Sequence, residues 1–392
     1  MPRLTLKPTK ERSLLRKHRW VFSGAIQQVP QELADGDLVQ VYSAEGTFLA
    51  VGHFQRGSIM VRILSFAQEP IAPTYWHHQL GEAWAVRQRL GLGTTPDTTV
   101  FRLVHGEGDG LPGLIIDVYG TVAVLQAHSV GMFRERETIA TVLKELLGDR
   151  LTAVYDKSGS TLNLREFPDY SSGFLWGQSE PVWVQEYGRK FLIDFADGQK
   201  TGFFVDQREN RKLLEKYAKD KEVLNVFAYT GGFSIYALAG GASRVDSVDI
   251  SKKAVDLIDA NVLENFGAQA PHRSIAQDAF KFLEQSKDQY DVMVLDPPAF
   301  AKHRDALRNA LQGYRKLNRQ GLEQIRPGGI LFTFSCSQVA SPKDFRTAVF
   351  TAAAQSGRTV RILHQLTQPA DHPINMFHPE GEYLKGLVLA VE

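Results

Sequence analysis

From about residue 223 onward the chain alternates short apolar runs with stretches of helical periodicity, and no other feature narrows its fold as much. The apolar runs lie at 223–227, 244–249, 290–295 and 329–334. Between the last two, Leu307, Leu311, Tyr314, Leu317, Leu322 and Ile325 recur at the spacing of one helix face. Alternation of this kind predicts a parallel sheet with helices on both faces, a doubly wound α/β domain.

The first 70 or so residues follow a different rule. Short alternating segments at 37–42, 47–51 and 59–64, separated by glycine-containing turns, predict a small β-barrel. After Pro70 and Pro73 a helix is predicted over 76–90, opening a mixed α+β segment with strands at 114–118 and 122–127 and a helix from about 133 to 147. Residues 171–181 read as a loop that leads to further strands and a turn ending at Gly202. A chain of 392 residues exceeds one ordinary core. The predicted division is a barrel at 1–72, a central α+β domain at 73–180, and the doubly wound domain, with a preceding hairpin, at 181–392.

Charge and cysteine content limit the function classes. The net charge of +1 is uninformative, but seven Arg or Lys residues lie from Arg3 to Arg19 against one acid, Glu11. A second basic cluster comprises Lys302, Arg304, Arg308, Arg315, Lys316 and Arg319. Such clusters hold phosphates or are simply solvated surface. The single cysteine, Cys336, excludes an intramolecular disulfide and any cysteine-cluster metal site, and no metal is expected. The basic N-terminus lacks the apolar stretch of a signal peptide, and no uncharged apolar run approaches about 18 residues, so a cytoplasmic protein with no membrane partner is expected.

In a doubly wound sheet the ligand sits beyond the carboxyl ends of the strands, so the residues following each strand are the ones to read. The first is followed by Ala228-Tyr229-Thr230-Gly231-Gly232-Phe233, where glycine lets backbone approach a ligand. The second ends in Asp249, an acid placed to accept hydrogen bonds from ribose hydroxyls. Gln277-Asp278-Ala279 is placed to address an adenine edge. The stretch at 228–233 lacks the Gly-x-Gly-x-x-Gly that a dinucleotide pyrophosphate favours, which suits S-adenosylmethionine better than a nicotinamide cofactor. Asp296-Pro297-Pro298-Ala299-Phe300 also resembles the fourth motif of class I methyltransferases that modify bases.

Cys336 follows the strand at 329–334, at the same sheet edge as Asp296. Pyrimidine C5 is a poor nucleophile; a thiolate that adds to C6 generates an enamine whose C5 can accept a methyl group. Asp296, at the N3 edge, would stabilise charge developing in the ring. A lone cysteine is otherwise a small buried hydrophobe.

With these residues assembled, the chain resembles the bacterial large-subunit (23S) ribosomal RNA cytosine-C5 methyltransferases, over essentially its full length. The matching stretches are 13–24, 106–113, 200–208, 227–233, 370–373 and 379–386. The resemblance implies a Rossmann-like class I methyltransferase domain with an N-terminal PUA-like β-barrel and a central α+β domain. It implies S-adenosylmethionine as cofactor and 23S ribosomal RNA, or a large-subunit assembly intermediate, as partner, with a homodimer left open. It assigns Cys336 and Asp296 to catalysis, and Phe227, Tyr229, Thr230, Gly231, Asp249, Ile250, Asp278, Ala279 and Asp296 to the cofactor region, with Gln207 and Arg208 at its methionine end. Lys10, Arg12, Arg16, Lys17, Arg19, Trp20, Pro297, Pro298 and Phe300 become expected RNA contacts. Two-cysteine relatives carry a second cysteine where Ala299 stands, so another group must take the C5 proton; Asp371 and His372 are candidates. The rivals are a guanine-N7 RNA methyltransferase, which needs no thiolate, and a noncatalytic RNA-binding assembly factor.

Overall fold

The computed structural model describes residues 1–162, 167–301 and 303–392. They form two compact units. The first comprises Met1–Gln185, Ile193–Val205 and Ala370–Gly381; the second comprises Glu186–Leu192, Asp206–Pro369 and Glu382–Glu392.

The first unit begins with β1 (Arg3–Thr5), α1 (Arg12–Leu15), β2 (Trp20–Phe22), β3 (Leu38–Tyr42), β4 (Phe48–Phe54) and β5 (Ile59–Ser65), in the sheet order β1-β3-β4-β5-β2. Leu4, Val39, Val41, Phe54, Val61 and Ile63 point into one core, as the period-2 alternation requires. Backbone bonds from Lys7 N to Ala25 O (2.8 Å) and Gln27 N to Thr5 O (2.9 Å) join the two edges, closing the sheet into the expected barrel.

There follow α2 (Pro73–Arg89), β6 (Val100–His105), β7 (Leu114–Tyr119), β8 (Val122–Ala127), α3 (Val130–Arg134), α4 (Arg136–Leu147), β9 (Ala153–Asp156) and β10 (Gly173–Gly177), with sheet order β10-β9-β8-β7-β6. Two expectations change here. The single helix over 133–147 is two helices that meet at Glu135, with Ser129 capping the first by accepting from Met132 N. The presumed loop at 171–181 contains β10, antiparallel to β9, with Leu175 and Trp176 packed on the core. Its bracketing glycines read as loop residues. Gly177, however, takes φ +67° where a Cβ would stand 2.0 Å from Thr152 O, so only glycine fits the strand end.

β11 (Val182–Glu186) and β12 (Arg189–Ile193) form a two-stranded sheet through Tyr187 and Gly188, both at positive φ, as a tight hairpin turn requires.

The second unit carries α5 (Arg208–Glu215), β13 (Glu222–Val226), α6 (Gly232–Ala239), β14 (Arg244–Asp249), α7 (Lys252–Phe266), β15 (His272–Ala276), α8 (Ala279–Leu283), β16 (Val292–Leu295), α9 (Leu307–Gln324), β17 (Gly329–Ser335), α10 (Pro342–Ser356), β18 (Val360–Leu366) and β19 (Lys385–Val391). The strand order is β15-β14-β13-β16-β17-β19-β18, with β13 to β17 parallel and β19 antiparallel to both its neighbours. Order reverses between β13 and β16, which puts the ligand crevice beyond their carboxyl ends. Leu224, Met293, Leu295, Leu317, Leu331 and Phe345 are among the buried residues that fix the helices on this sheet. Among the described residues no helix is long and apolar enough to cross a membrane.

Candidate active site

The crevice is built by a turn that β13 cannot continue as a strand. Phe227 takes φ +59°, an uncommon conformation for a bulky side chain, and Gly231 takes φ +82° at the N-cap of α6. Gly231 N donates to Ala228 O (2.6 Å), and Asn261 Nδ2 from α7 donates to Thr230 O (2.9 Å), so the turn is pinned from both sides. A Cβ on Gly231 would lie 3.0 Å from Ile258 Cγ2. The Thr230 hydroxyl is buried with no hydrogen-bond partner among the described residues, an orphaned polar atom on the turn.

Asp249 closes the next strand end. Its Oδ2 accepts from Tyr229 N (3.2 Å) and its Oδ1 from Ser251 N (2.9 Å), which holds the carboxylate at the rim. The neighbouring Ile250 is 75% exposed, an apolar face open beside an acid. Asp278 Oδ1 accepts from Lys281 N (3.0 Å) and so caps α8, and Ala279 is buried beside it. Asp249, Ile250, Thr230 and the cradle at Gly231 fit the ribose, base and backbone-facing parts of S-adenosylmethionine. No pyrophosphate-sized glycine loop is needed.

Asp296 lies just past β16. Gln207 Nε2 donates to its Oδ2 (3.0 Å), and Asn210 Nδ2 donates to Gln207 Oε1 (2.6 Å), so a buried amide chain sets the carboxylate's orientation. Gln207 and Arg208 are both buried, and Gln207 joins the site through Asp296. Of the residues after Asp296, Pro297 is buried and Pro298 exposed. The Phe300 ring packs 4.7 Å from that of Tyr314 and against Gly313, which turns it toward α9.

Cys336 is half-buried immediately after β17. Leu295 pairs with Thr333 in the β16–β17 ladder, so Asp296 and Cys336 emerge at one sheet edge, as the strand order predicted. Ser337 Oγ donates to Ala301 O (2.8 Å), tying the Cys336 segment to the one that follows Asp296. Tyr314, buried below, is pushed up to about 12 by burial, with the negative charges of Cys336 and Asp296 adding to the effect.

Sequence reasoning missed Lys385. It opens β19 opposite Ser335, is almost fully buried, and donates to the carbonyls of Ser337 and Tyr383 (2.7 Å for the latter). Its signal was a lysine heading an otherwise apolar strand.

The expected RNA contacts divide. Lys10, Arg12, Arg16 and Lys17 are exposed on the first unit. Arg19 and Trp20 are engaged inside that unit instead: Arg19 Nη1 donates to Ile63 O, Leu64 O and Gly110 O at 3.0–3.1 Å, and Trp20 Nε1 donates to Glu107 (2.8 Å). Burial lowers the Arg19 pKa. On the second unit Arg304, Arg308, Lys316 and Arg319 are exposed, with Arg319 paired to Glu323 at 2.7 Å; Lys302 lies outside the described residues. Asp371 Oδ2 accepts from Arg102 N (3.0 Å) and its Oδ1 faces His372 Nδ1 (3.1 Å), bonds that fix 370–373 within the first unit.

Residues 101–380 match a family model for S-adenosylmethionine-dependent methyltransferases, and residues 4–66 match one for PUA-like domains. The chain is 40% identical over 394 residues to ribosomal RNA large subunit methyltransferase I of Alteromonas mediterranea, covering 98% of both chains. It is 36% identical to the protein of the same name from Escherichia coli, covering 99% of both. A Streptococcus mutans structure of the SAM-dependent methyltransferase class superposes with a TM-score of 0.85 over 100% of both chains at 25% identity. Another methyltransferase structure, complexed with SAH, gives 0.86 at the same identity and coverage. The chain therefore belongs to the S-adenosylmethionine-dependent methyltransferases, in the family of the ribosomal RNA large subunit methyltransferases I.

Proposed function

We propose that this protein methylates C5 of a cytosine in 23S ribosomal RNA, with Cys336 as the nucleophile and Asp296 at the N3 edge of the base. The observation that carries the reading is the placement of a half-buried lone cysteine beside Asp296, on adjacent parallel strands at the cofactor edge of the sheet. Relatives named for the large ribosomal subunit supply the RNA class.

S-adenosylmethionine, when bound, supplies an electrophilic methyl group. The residues do the rest. Thr230, Asp249 and Ile250 hold the nucleoside, while Gln207 fixes Asp296 Oδ2 and so aims the carboxyl group. The Cys336 thiolate adds to C6 and pushes electron density to C5, and the Asp296 carboxyl, protonated in this step, donates a hydrogen bond to N3 that stabilises the charge appearing there. After methylation, a general base takes the C5 proton, and the electron pair of that C–H bond expels the thiolate. Lys10, Arg12, Arg16 and Lys17 present exposed charge for phosphates, and Pro298 lies open beside Asp296. The substrate places the reaction in the cytoplasm, on free RNA or an assembling subunit, with 1–72, 73–180 and 181–392 as the working domains.

The test is Cys336→Ala. Transfer of labelled methyl groups to unmodified 23S RNA is lost while affinity for S-adenosylmethionine is retained. Retained turnover removes the covalent mechanism, and no transfer by the unaltered protein to any RNA favours a noncatalytic assembly factor.

A further inference from the structure

Lys385 is 5% exposed at the head of a strand that continues Gly-Leu-Val-Leu-Ala-Val. An ammonium in such a place is unfavourable unless its donors are satisfied. Two carbonyls do this, Ser337 O and Tyr383 O. Strand pairing sets Lys385 opposite Ser335, and its Nζ reaches the carbonyl of Ser337, so the amine brackets the one residue between them, Cys336.

A tetrahedral nitrogen bonded to Cε and donating to two carbonyls has one position left. In the ammonium that position carries an N–H able to donate to a thiolate; in the neutral amine it carries a lone pair able to accept from a thiol. We propose that Lys385 is the positioning residue that holds Cys336 as a thiolate, which rests on the reading of Cys336 as the nucleophile. The proton of the thiol passes to the amine, giving ammonium and thiolate, and no other bond changes. When the thiolate is expelled from C6 it returns to the same cation.

The surroundings agree. Burial pushes Lys385 down to about 8, against the opposing pull of Cys336 first and then of Glu382 and Asp344. A free thiol titrates near about 8.5, so amine and thiol compete for one proton at comparable strength. Tyr314 also feels the charge of Cys336; with the tyrosine neutral at pH 7, Lys385 is a cation placed against the Cys336 segment.

Alkylation of the native full chain by iodoacetamide tests this directly, because the chain has one cysteine and the rate follows its thiolate fraction. The unaltered protein should show a midpoint below about 8.5. Lys385→Gln should raise that midpoint by about one unit, slowing alkylation about tenfold at pH 7, whereas Lys385→Arg keeps the charge and the low midpoint. The acidic limb of the methyl-transfer pH profile should move with it, a change that lost packing alone would not produce. An unaltered-protein midpoint at or above the free-thiol value, or an unchanged midpoint in a folded Lys385→Gln, overturns the proposal. Where circular dichroism finds Lys385→Gln unfolded, the unaltered-protein midpoint decides. Alkylation needs neither RNA nor cofactor, so its failure is distinct from retained turnover in Cys336→Ala, which would remove the nucleophile reading itself.

Discussion

Gly231 takes φ +82° and ψ +16° at the start of α6, and replacing it with alanine has two separable effects. A left-handed backbone costs a residue with a Cβ about 1–2 kcal/mol. The added Cβ would also stand 3.0 Å from Ile258 Cγ2 and 3.4 Å from Cγ1, a crowding of a few tenths of an ångström against a fully buried side chain. The turn cannot easily relax, since Asn261 holds Thr230 O and Gly231 N is bonded to Ala228 O. Gly231→Ala should therefore destabilise the second unit by at least about 1–2 kcal/mol, the backbone share alone, and weaken S-adenosylmethionine binding, because Thr230 and Tyr229 ride on the same turn. Tryptophan fluorescence cannot read this, as Trp20, Trp76, Trp84, Trp176 and Trp183 all belong to the first unit. Amide hydrogen exchange of β13 and β16 can. Repeating the substitution in an Ile258→Ala background separates the two effects: the backbone share persists and only the contact share disappears. Protection unchanged to within about 0.5 kcal/mol in both backgrounds would refute the argument from φ.

Thr230→Val removes a buried hydroxyl that has no partner among the described residues, so the fold should hold or gain slightly while cofactor affinity falls about three- to tenfold by titration calorimetry; equal losses in both would mean the hydroxyl bonds internally. His53 gives the first unit a pH dependence. Burial, then Arg134 and Arg62, lower it to about 4, so the unfolded chain binds the proton more readily between that value and about 6.5. Stability present above about 6.5 is lost as pH falls toward 4, by at most about 3 kcal/mol. Urea midpoints followed by tryptophan fluorescence should fall across that window; His53→Gln should remove only its own share, because burial lowers His128 of the same unit to about 4 as well.

The doubly wound half was legible because buried parallel strands are continuous apolar runs, and β13, β14, β16 and β17 fall within a residue or two of their expected positions. β15 and β18 were not, because they are the edges of the sheet: His272, Arg273 and Ser274 in one, Arg361, His364 and Gln365 in the other, mask the period. Asp249, Asp296 and Cys336 could be read because each follows a strand and strand order fixes which ends meet. Lys385 could not, since it reaches the segment around Cys336 only through the antiparallel register of β19, which no local pattern encodes. Nor could composition tell that Arg19, in a basic run, gives its donors to three carbonyls while Arg12 and Arg16 stay exposed.

The covalent step at Cys336 can be observed outright. RNA bearing 5-fluorocytidine admits addition of the thiolate and methylation at C5, but fluorine does not leave as a cation, so the protein stays bonded to the base. With S-adenosylmethionine present, denaturing electrophoresis should show a protein–RNA adduct, and peptide mass spectrometry should place it on Cys336, with none formed by Cys336→Ser. Methylation of unsubstituted 23S RNA at guanine N7, with no adduct on the fluorinated RNA, would contradict the account.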